Sequence, residues 1–416
     1  MSYPYLNLVP EVLDNFRRSL GVGDLLWMWI VFFVVTGVVV LALAMMVAYT
    51  VLAERKIAGF VQERFGPNRV GPWGLLQPIA DVIKLIFKED ITHDAADRPV
   101  FKFAPYLAFM GPVLVLLVLP FTPGFYYGSY TCGVLFAFAL SGLTVLGILA
   151  GGYASNNKFS LMGGVRAASQ LMAYEIPFIT TVLAVILIAG SFDLVKIVEQ
   201  QSHGLWMVAV QPVGFLLFLV CMVAETNRTP FDIPEGESEI TGGFHTEYSG
   251  IRFGIFFLGE YTALLVLAGL GAVLYLGGWT GPPPFKDIVA SPFSYTNLFW
   301  LIVVGVLAFA AVKALAAARS ERGFLWLAAG ALAGLGLIGL HVLATAAGLP
   351  FLKLPLVWFL VKVAFLVFLA MLFRWTYLRL RVDQLTSFAW KFLFPLALAN
   401  LVVTSIVVLL MEGGSK

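Results

Sequence analysis

From Leu25 to Ala53 the chain runs without a single charged residue. A helix needs only about 20 such residues to cross the hydrocarbon core of a bilayer. The run is also longer than the apolar core of a signal peptide and lacks a clear cleavage site, so it is read as a retained first span. Nine more segments qualify: 104–122, 132–154, 172–190, 205–224, 253–276, 298–316, 324–348, 356–373 and 392–411. Only 12% of the residues are charged and the mean hydropathy is +0.92, whereas soluble domains carry about 25% charge. The expected fold is an all-α integral membrane protein in which residues 1–416 form one helical domain of about ten spans.

The long internal loops follow from the distribution of basic residues. With the N-terminus outside, loops 54–103, 155–171, 225–252, 317–323 and 374–391, with Lys313 at an adjoining helix end, hold 19 Lys and Arg against 6 on the other side. That excess faces the cytoplasm or matrix. Segments 298–316 and 324–348 are plain Ala/Leu/Gly/Val runs joined by KALAAARSERG. Their small residues suit close helix contact. An even number of spans can be added without inverting the rest, so 285–354 reads as an inserted helical hairpin.

Several chemistries are excluded. The formal charge of +2 gives no reason to invoke nucleic acid. Cys132 and Cys221 are the only cysteines, read as apolar helix residues without metal-binding spacing, so an iron–sulfur cluster has no ligands here. Of His93, His203, His245 and His341, only His341 lies inside a span, which rules out a bis-histidine haem between helices. Electrons would have to reach this chain from a partner.

In loop 54–103, GPNRVGP forms a rigid turn. From Leu75 to Lys88, Gln77, Asp81, Lys84 and Lys88 share one helical face, and Leu75, Leu76, Ile79, Val82, Ile83 and Ile86 fill the other. Such a helix is too short and charged to span and lies along the interface. It serves either to anchor the surface or to roof an opening for a lipid-soluble substrate. Arg55, Arg64 and Arg69 flank the bends.

Three spans carry an ionisable residue, each costly at the bilayer centre, by about 2.5–3.5 kcal/mol. Lys362 is long enough to snorkel to the interface. Glu175, in AYEIP, lies near the internal end of its span, and Glu260 lies roughly 12 Å along the helix from Arg252. Both readings of Glu260 stand: a structural hydrogen bond, or one station of a proton relay.

The loop Ala224–Gly250, AETNRTPFDIPEGESEITGGFHTEYSG, holds six of the chain's 24 acidic residues: Glu225, Asp232, Glu235, Glu237, Glu239 and Glu247. Phe231, Ile233, Ile240, Phe244, Tyr248 and Ile251 alternate with them, which indicates a packed segment more than a solvated connector. Glu235, Glu237 and Glu239 recur at every second residue and repel one another unless some are protonated or meet arginine.

This loop, with ERKIAGFVQERFGPNRVGPWGLLQPIADVIKLIFKED before it, resembles the H-type membrane subunits of proton-translocating NADH:quinone oxidoreductase, the family that includes NADH dehydrogenase subunit 1 of mitochondrial complex I. The resemblance covers most of 25–280 and 355–411. It implies eight family-type spans plus the inserted pair, and a quinone chamber shared with peripheral-arm subunits. Glu54, Arg55 and Arg64 would flank its approach and Asp81 would sit on the interfacial helix. Glu225, Arg228, Asp232, Glu235, Glu237 and Glu239 would form its acidic loop, and Glu175, Glu225 and Glu260 a proton path. No cofactor would be bound by this chain, and quinone would be the substrate. FMN and iron–sulfur clusters would reside in partner subunits. Small membrane-arm subunits and antiporter-like pumping subunits would be the other partners, with membrane lipid, in a bacterial inner membrane.

The sequence departs from the family at RWTYLRLRVDQL, with Trp375, Leu378 and Val382 where Ala, Pro and Tyr are usual, while Arg374, Arg379, Arg381 and Asp383 remain. The membrane subunit of a related hydrogenase or formate-oxidising complex is the competing reading. A stand-alone transporter would be expected to show an internal repeat, and a passive anchor would leave the acidic loop tolerant of multiple Glu to Gln changes.

Overall fold

The computed structural model describes residues 24–123, 130–234, 236–281 and 354–413. The predicted hairpin at 285–354, apart from Leu354, and Glu235 lie outside them. All regular structure among the described residues is helical, apart from an isolated bridge position at Thr122.

Helix α1 (Asp24–Val61) has 38 residues, roughly 57 Å at 1.5 Å per residue, against a hydrocarbon core of about 30 Å. The span expected to leave the membrane at Glu54 therefore continues as helix, and Glu54 and Arg55 sit on it rather than in a loop. Helix α2 (Gln77–Phe87) is the expected interfacial helix. Its apolar face is uncovered: Ile79, Val82, Ile83, Ile86 and Phe87 are all exposed.

Helix α3 (Arg98–Val115) and helix α4 (Gly133–Ala154) pack so closely that a Cβ on Gly147 would stand 2.4 Å from the backbone nitrogen of Ala108. Cys132 proves to be an exposed residue just before α4, whereas Cys221 is buried. Helix α5 (Lys158–Ala189) starts where the Asn157 side chain accepts from the Phe159 amide and stops at Gly190, φ +62°. Both are ordinary helix-end devices. The expected loop 155–171 thus shrinks to a short link, and Glu175 lies well inside a helix.

After α6 (Leu194–His203), the expected span 205–224 is broken. A turn at Met207–Val210 is followed by α7 (Pro212–Glu225), with Gln211 between them at φ −129°, ψ 65°. The cause is local, since a residue preceding proline is pushed out of the helical region. Helices α8 (Gly250–Tyr275) and α9 (Leu354–Thr376) pack together. Helix α10 (Val382–Phe388) passes through a π-helical turn at Ala389–Leu393 into α11 (Phe394–Gly413).

Five helices among the described residues are long and apolar enough to cross a membrane: Gly133–Ala154, Lys158–Ala189, Gly250–Tyr275, Pro355–Thr376 and Val382–Leu410. Helix α5 runs through the middle of the bundle, touching α4, α7 and α11, with Ala167, Tyr174 and Val185 fully buried. The chain is an all-α integral membrane protein.

Candidate functional site

The C-terminal end of α1 turns back on itself because two glycines permit it. A Cβ on Gly59 would stand 2.8 Å from the Gly66 nitrogen, and Gly74, at φ +75°, lies against the carbonyl of Pro67. The folded GPNRVGP turn and α1 enclose a cavity of about 950 Å³ together with α8 and the end of α9. Glu54, Arg55, Arg64, Arg69, Tyr261, Arg374 and Trp375 line it, with Phe257 and Val51 supplying apolar wall. Arg55 also holds Asp81 on α2 at 2.8 Å, and Gln77 donates to the same carboxylate. This pair is largely exposed and contributes at most about 1 kcal/mol; it sets the angle of α2 to α1 more than it stabilises the bundle.

Beneath the cavity lies a buried ion cluster. Glu54 is 3% exposed and Arg228 1%. Arg228 Nη1 meets Glu54 Oε2 at 2.6 Å and Arg374 Nη1 meets Glu54 Oε1 at 2.5 Å, so both carboxylate oxygens are taken. The Arg228 guanidinium lies 4.4 Å from the centre of the Tyr261 ring, and its Nε is 3.9 Å from Glu260 Oε1. Burial opposes the charge of Arg228, yet Glu54, Tyr261 and Glu260 together hold its pKa above the usual arginine value. Asp232 is within electrostatic reach of Glu260. The cluster thus joins α1, the acidic loop, α8 and α9 around one permanently charged guanidinium.

A second acidic group sits on the other side of the loop's start. Glu225 ends α7 and feels the charge of Glu175 on α5; its Oε2 is buried without a hydrogen bond. Gln170 fixes the chain between the two groups, its amide donating to Ala224 O, Asn227 Oδ1 and Phe231 O at 2.8–3.1 Å. Further along, Glu239 pairs with Arg166 at 2.7 Å near the surface, and Asn157 donates to Glu247 at 2.6 Å. Nothing is described for the side chain of Glu237.

Five of the six apolar residues expected to pack are buried: Phe231, Ile233, Ile240, Phe244 and Tyr248. Ile251, on the first turn of α8, is 41% exposed instead. The C-terminal link also holds the loop, as Leu380 N donates to Pro230 O at 3.1 Å. The helix break there forms with Leu378 in place of the usual proline, its side chain exposed.

The family model described as NADH dehydrogenase matches residues 34–405. The chain is 42% identical over 383 residues to the H subunit of the NADH-quinone oxidoreductase of Geobacillus kaustophilus (strain HTA426), covering 92% of this chain and 95% of that protein. It is 41% identical over 383 residues to the protein of the same name from Bacillus cytotoxicus, covering 91% and 95%. The chain belongs to the NADH dehydrogenase family.

In this NADH dehydrogenase family member, the expected residues divide into distinct places. Glu54, Arg55 and Arg64 line the cavity, Asp81 is tied to Arg55, and Arg228 and Glu260 lie beneath. Glu175 and Glu225 form their own group, and Glu239 faces outward with Arg166. Sequence reasoning passed over Arg374, Tyr261 and Trp375 as site residues. The first was visible as a persistent charge in RWTYLRLR, but nothing local pointed it at Glu54.

His245 sets a pH limit on the loop. Its ring sits edge-on to Phe244 and Phe253, with ring centres 5.1 and 5.3 Å away, and burial pushes its pKa down to about 4. An unfolded histidine takes its proton near 6.5. The folded form, binding fewer protons, therefore has its full stability above about pH 6.5 and loses it as the pH falls toward 4. Melting curves of the purified assembly between pH 7 and 4.5 should show this loss, and His245→Phe should flatten that part of the profile.

Proposed function

We propose that the chain is the membrane subunit of a respiratory NADH:quinone oxidoreductase, that its cavity is part of the quinone chamber, and that it passes quinone reduction on as proton movement. The observation that carries the reading is the cavity itself. Its lining combines apolar side chains such as Val51, Phe65 and Phe257 with four arginines, and it lies next to an interfacial helix whose apolar face is uncovered. A lipid-soluble quinone would enter beside α2 and pass Arg55, Arg64, Arg69 and Arg374. Its reduction would occur at the far end, by an iron–sulfur cluster of a peripheral-arm subunit to which FMN in another partner delivers electrons.

Reduction takes two electrons and two protons, so negative charge appears at the quinone until the protons arrive. In this reading the acidic loop, with Asp232, Glu235, Glu237 and Glu239, responds to that charge. Glu225, Glu175 and Glu260 then carry protons toward the small membrane-arm and antiporter-like subunits. The setting is a bacterial inner membrane with loops 54–103 and 225–252 on the cytoplasmic side. The fold is read as one domain with a hairpin inserted at 285–354.

A photoreactive quinone crosslinked to the intact assembly tests the chamber. Labelled peptides should include those containing Arg64 and Tyr261; labelling confined to other segments would overturn the assignment. For the proton path, Glu260→Gln should lower proton pumping per quinone reduced while the assembly still forms. Unchanged reduction together with unchanged pumping would remove Glu260 from the path.

A further inference from the structure

The break before α7 places a polar group inside the bundle. Gln211 is 4% exposed. Its Nε2 donates to Thr404 Oγ1 at 2.8 Å and to Ala184 O at 3.4 Å, linking α7 to α11 and α5. Its Oε1 is buried and has no hydrogen-bond partner; the same holds for the Tyr275 hydroxyl and for Asn400 Nδ2. Tyr275 is fully buried.

These three atoms converge on one place. A methyl carbon on Gly214 would stand 3.1 Å from Gln211 Oε1, 3.3 Å from Asn400 Nδ2 and 3.4 Å from the Tyr275 oxygen. Gly214 lies on the first turn of α7 and has no side chain to occupy that space. A buried polar group left without a partner is destabilising because it has given up its hydrogen bonds to water, so three around one bare backbone position call for a shared partner.

We propose that the space over the Gly214 Cα is a binding site for a single internal water molecule. Water both donates and accepts, and an internal water typically has two to four polar partners. Here it donates to Gln211 Oε1, accepts from Asn400 Nδ2, and exchanges a hydrogen bond with the Tyr275 hydroxyl. A metal cation is opposed by the N–H groups of Asn400 facing the same point, and an apolar ligand would satisfy none of the three. The water joins α7, α8 and α11 beside the position where α7 loses helical continuity. None of these residues belongs to the cavity or to the acidic loop.

The test uses the intact assembly in lipid nanodiscs. A high-resolution electron cryomicroscopy map of the wild type should show a solvent peak within hydrogen-bonding distance of all three atoms. Direct hydrogen bonds among Gln211, Tyr275 and Asn400 with no peak between them would overturn the proposal. X-ray hydroxyl-radical footprinting, which labels side chains beside bound water, should modify Tyr275. Gly214→Ala, whose methyl takes the space, should reduce that labelling severalfold and leave exposed Tyr49 unchanged. Equal labelling in wild type and variant would count against the site. Asn400→Leu, which removes one partner without adding bulk at Gly214, should weaken the peak and the Tyr275 labelling in the same direction, and keeps the test open if Gly214→Ala fails to assemble.

Discussion

Replacing Arg228 with leucine should cost the assembly at least roughly tenfold in NADH:quinone turnover, because a factor of ten needs only about 1.4 kcal/mol and far more is at stake. Breaking a buried ion pair from one side typically costs about 3–5 kcal/mol, since the remaining charge stays buried. Glu54, 3% exposed, would keep Arg374 as its one ion-pair partner, and Glu260 would lose the guanidinium now 3.9 Å from it. Immunoblots of the membranes separate loss of the protein from loss of turnover in what remains. Arg228→Lys keeps a charge but not the planar fork that reaches Glu54 while lying on Tyr261, so it should assemble better than it works. A double variant, Glu54→Gln with Arg228→Leu, should recover part of the assembly lost in the single one, because the stranded carboxylate is gone. Full turnover in Arg228→Leu would contradict the account of the cluster.

Lys362→Met should be as damaging, through stability rather than chemistry. Lys362 is 6% exposed and does not snorkel. Its ammonium donates to the carbonyls of Leu276, Gly278 and Thr280 at 2.5, 2.8 and 2.6 Å, and lies 4.3 Å from the centre of the Trp206 ring. These carbonyls follow the end of α8, where backbone oxygens lack helical partners and a cation is favoured. Methionine has similar length but no donor, and would leave three acceptors unsatisfied at about 1–3 kcal/mol each. Much less protein should accumulate in membranes, and what assembles should melt at lower temperature. Lys362→Arg restores charge, but its flat fork does not match three converging carbonyls, so partial rescue is expected. Wild-type accumulation of Lys362→Met would show that the bundle tolerates these acceptors unpaired.

What could be read from the sequence were the features with a local cause. Apolar runs named the five helices that, among the described residues, are long and apolar enough to cross a membrane, the helical period of 75–88 named the interfacial helix, and alternation in the acidic loop announced its burial at five of six positions. The break at Gln211 was also legible in principle, since Pro212 restricts its predecessor, but a hydropathy reading of 205–224 averages over it. Other features depend on distant partners. Glu225 and Arg228 are three residues apart, yet the first acts with Glu175 and the second with Glu54, and composition carries no side-chain direction. Arg374 looks like any basic residue at the end of a span. Lys362 presents the same sequence whether it reaches the interface or a ring of carbonyls.

The pairing of Glu54 with Arg374 spans 320 residues of chain, and that with Arg228 spans 174. At roughly 5–20 residues per second, Arg374 is synthesised some tens of seconds after Glu54. During that interval the carboxylate can be neither fully paired nor fully enclosed. Glu54 therefore receives its second guanidinium only once α9 has been synthesised. Closure of the cluster is a late event in biogenesis, and a chain truncated before Arg374 would leave Glu54 with Arg228 as its one ion-pair partner.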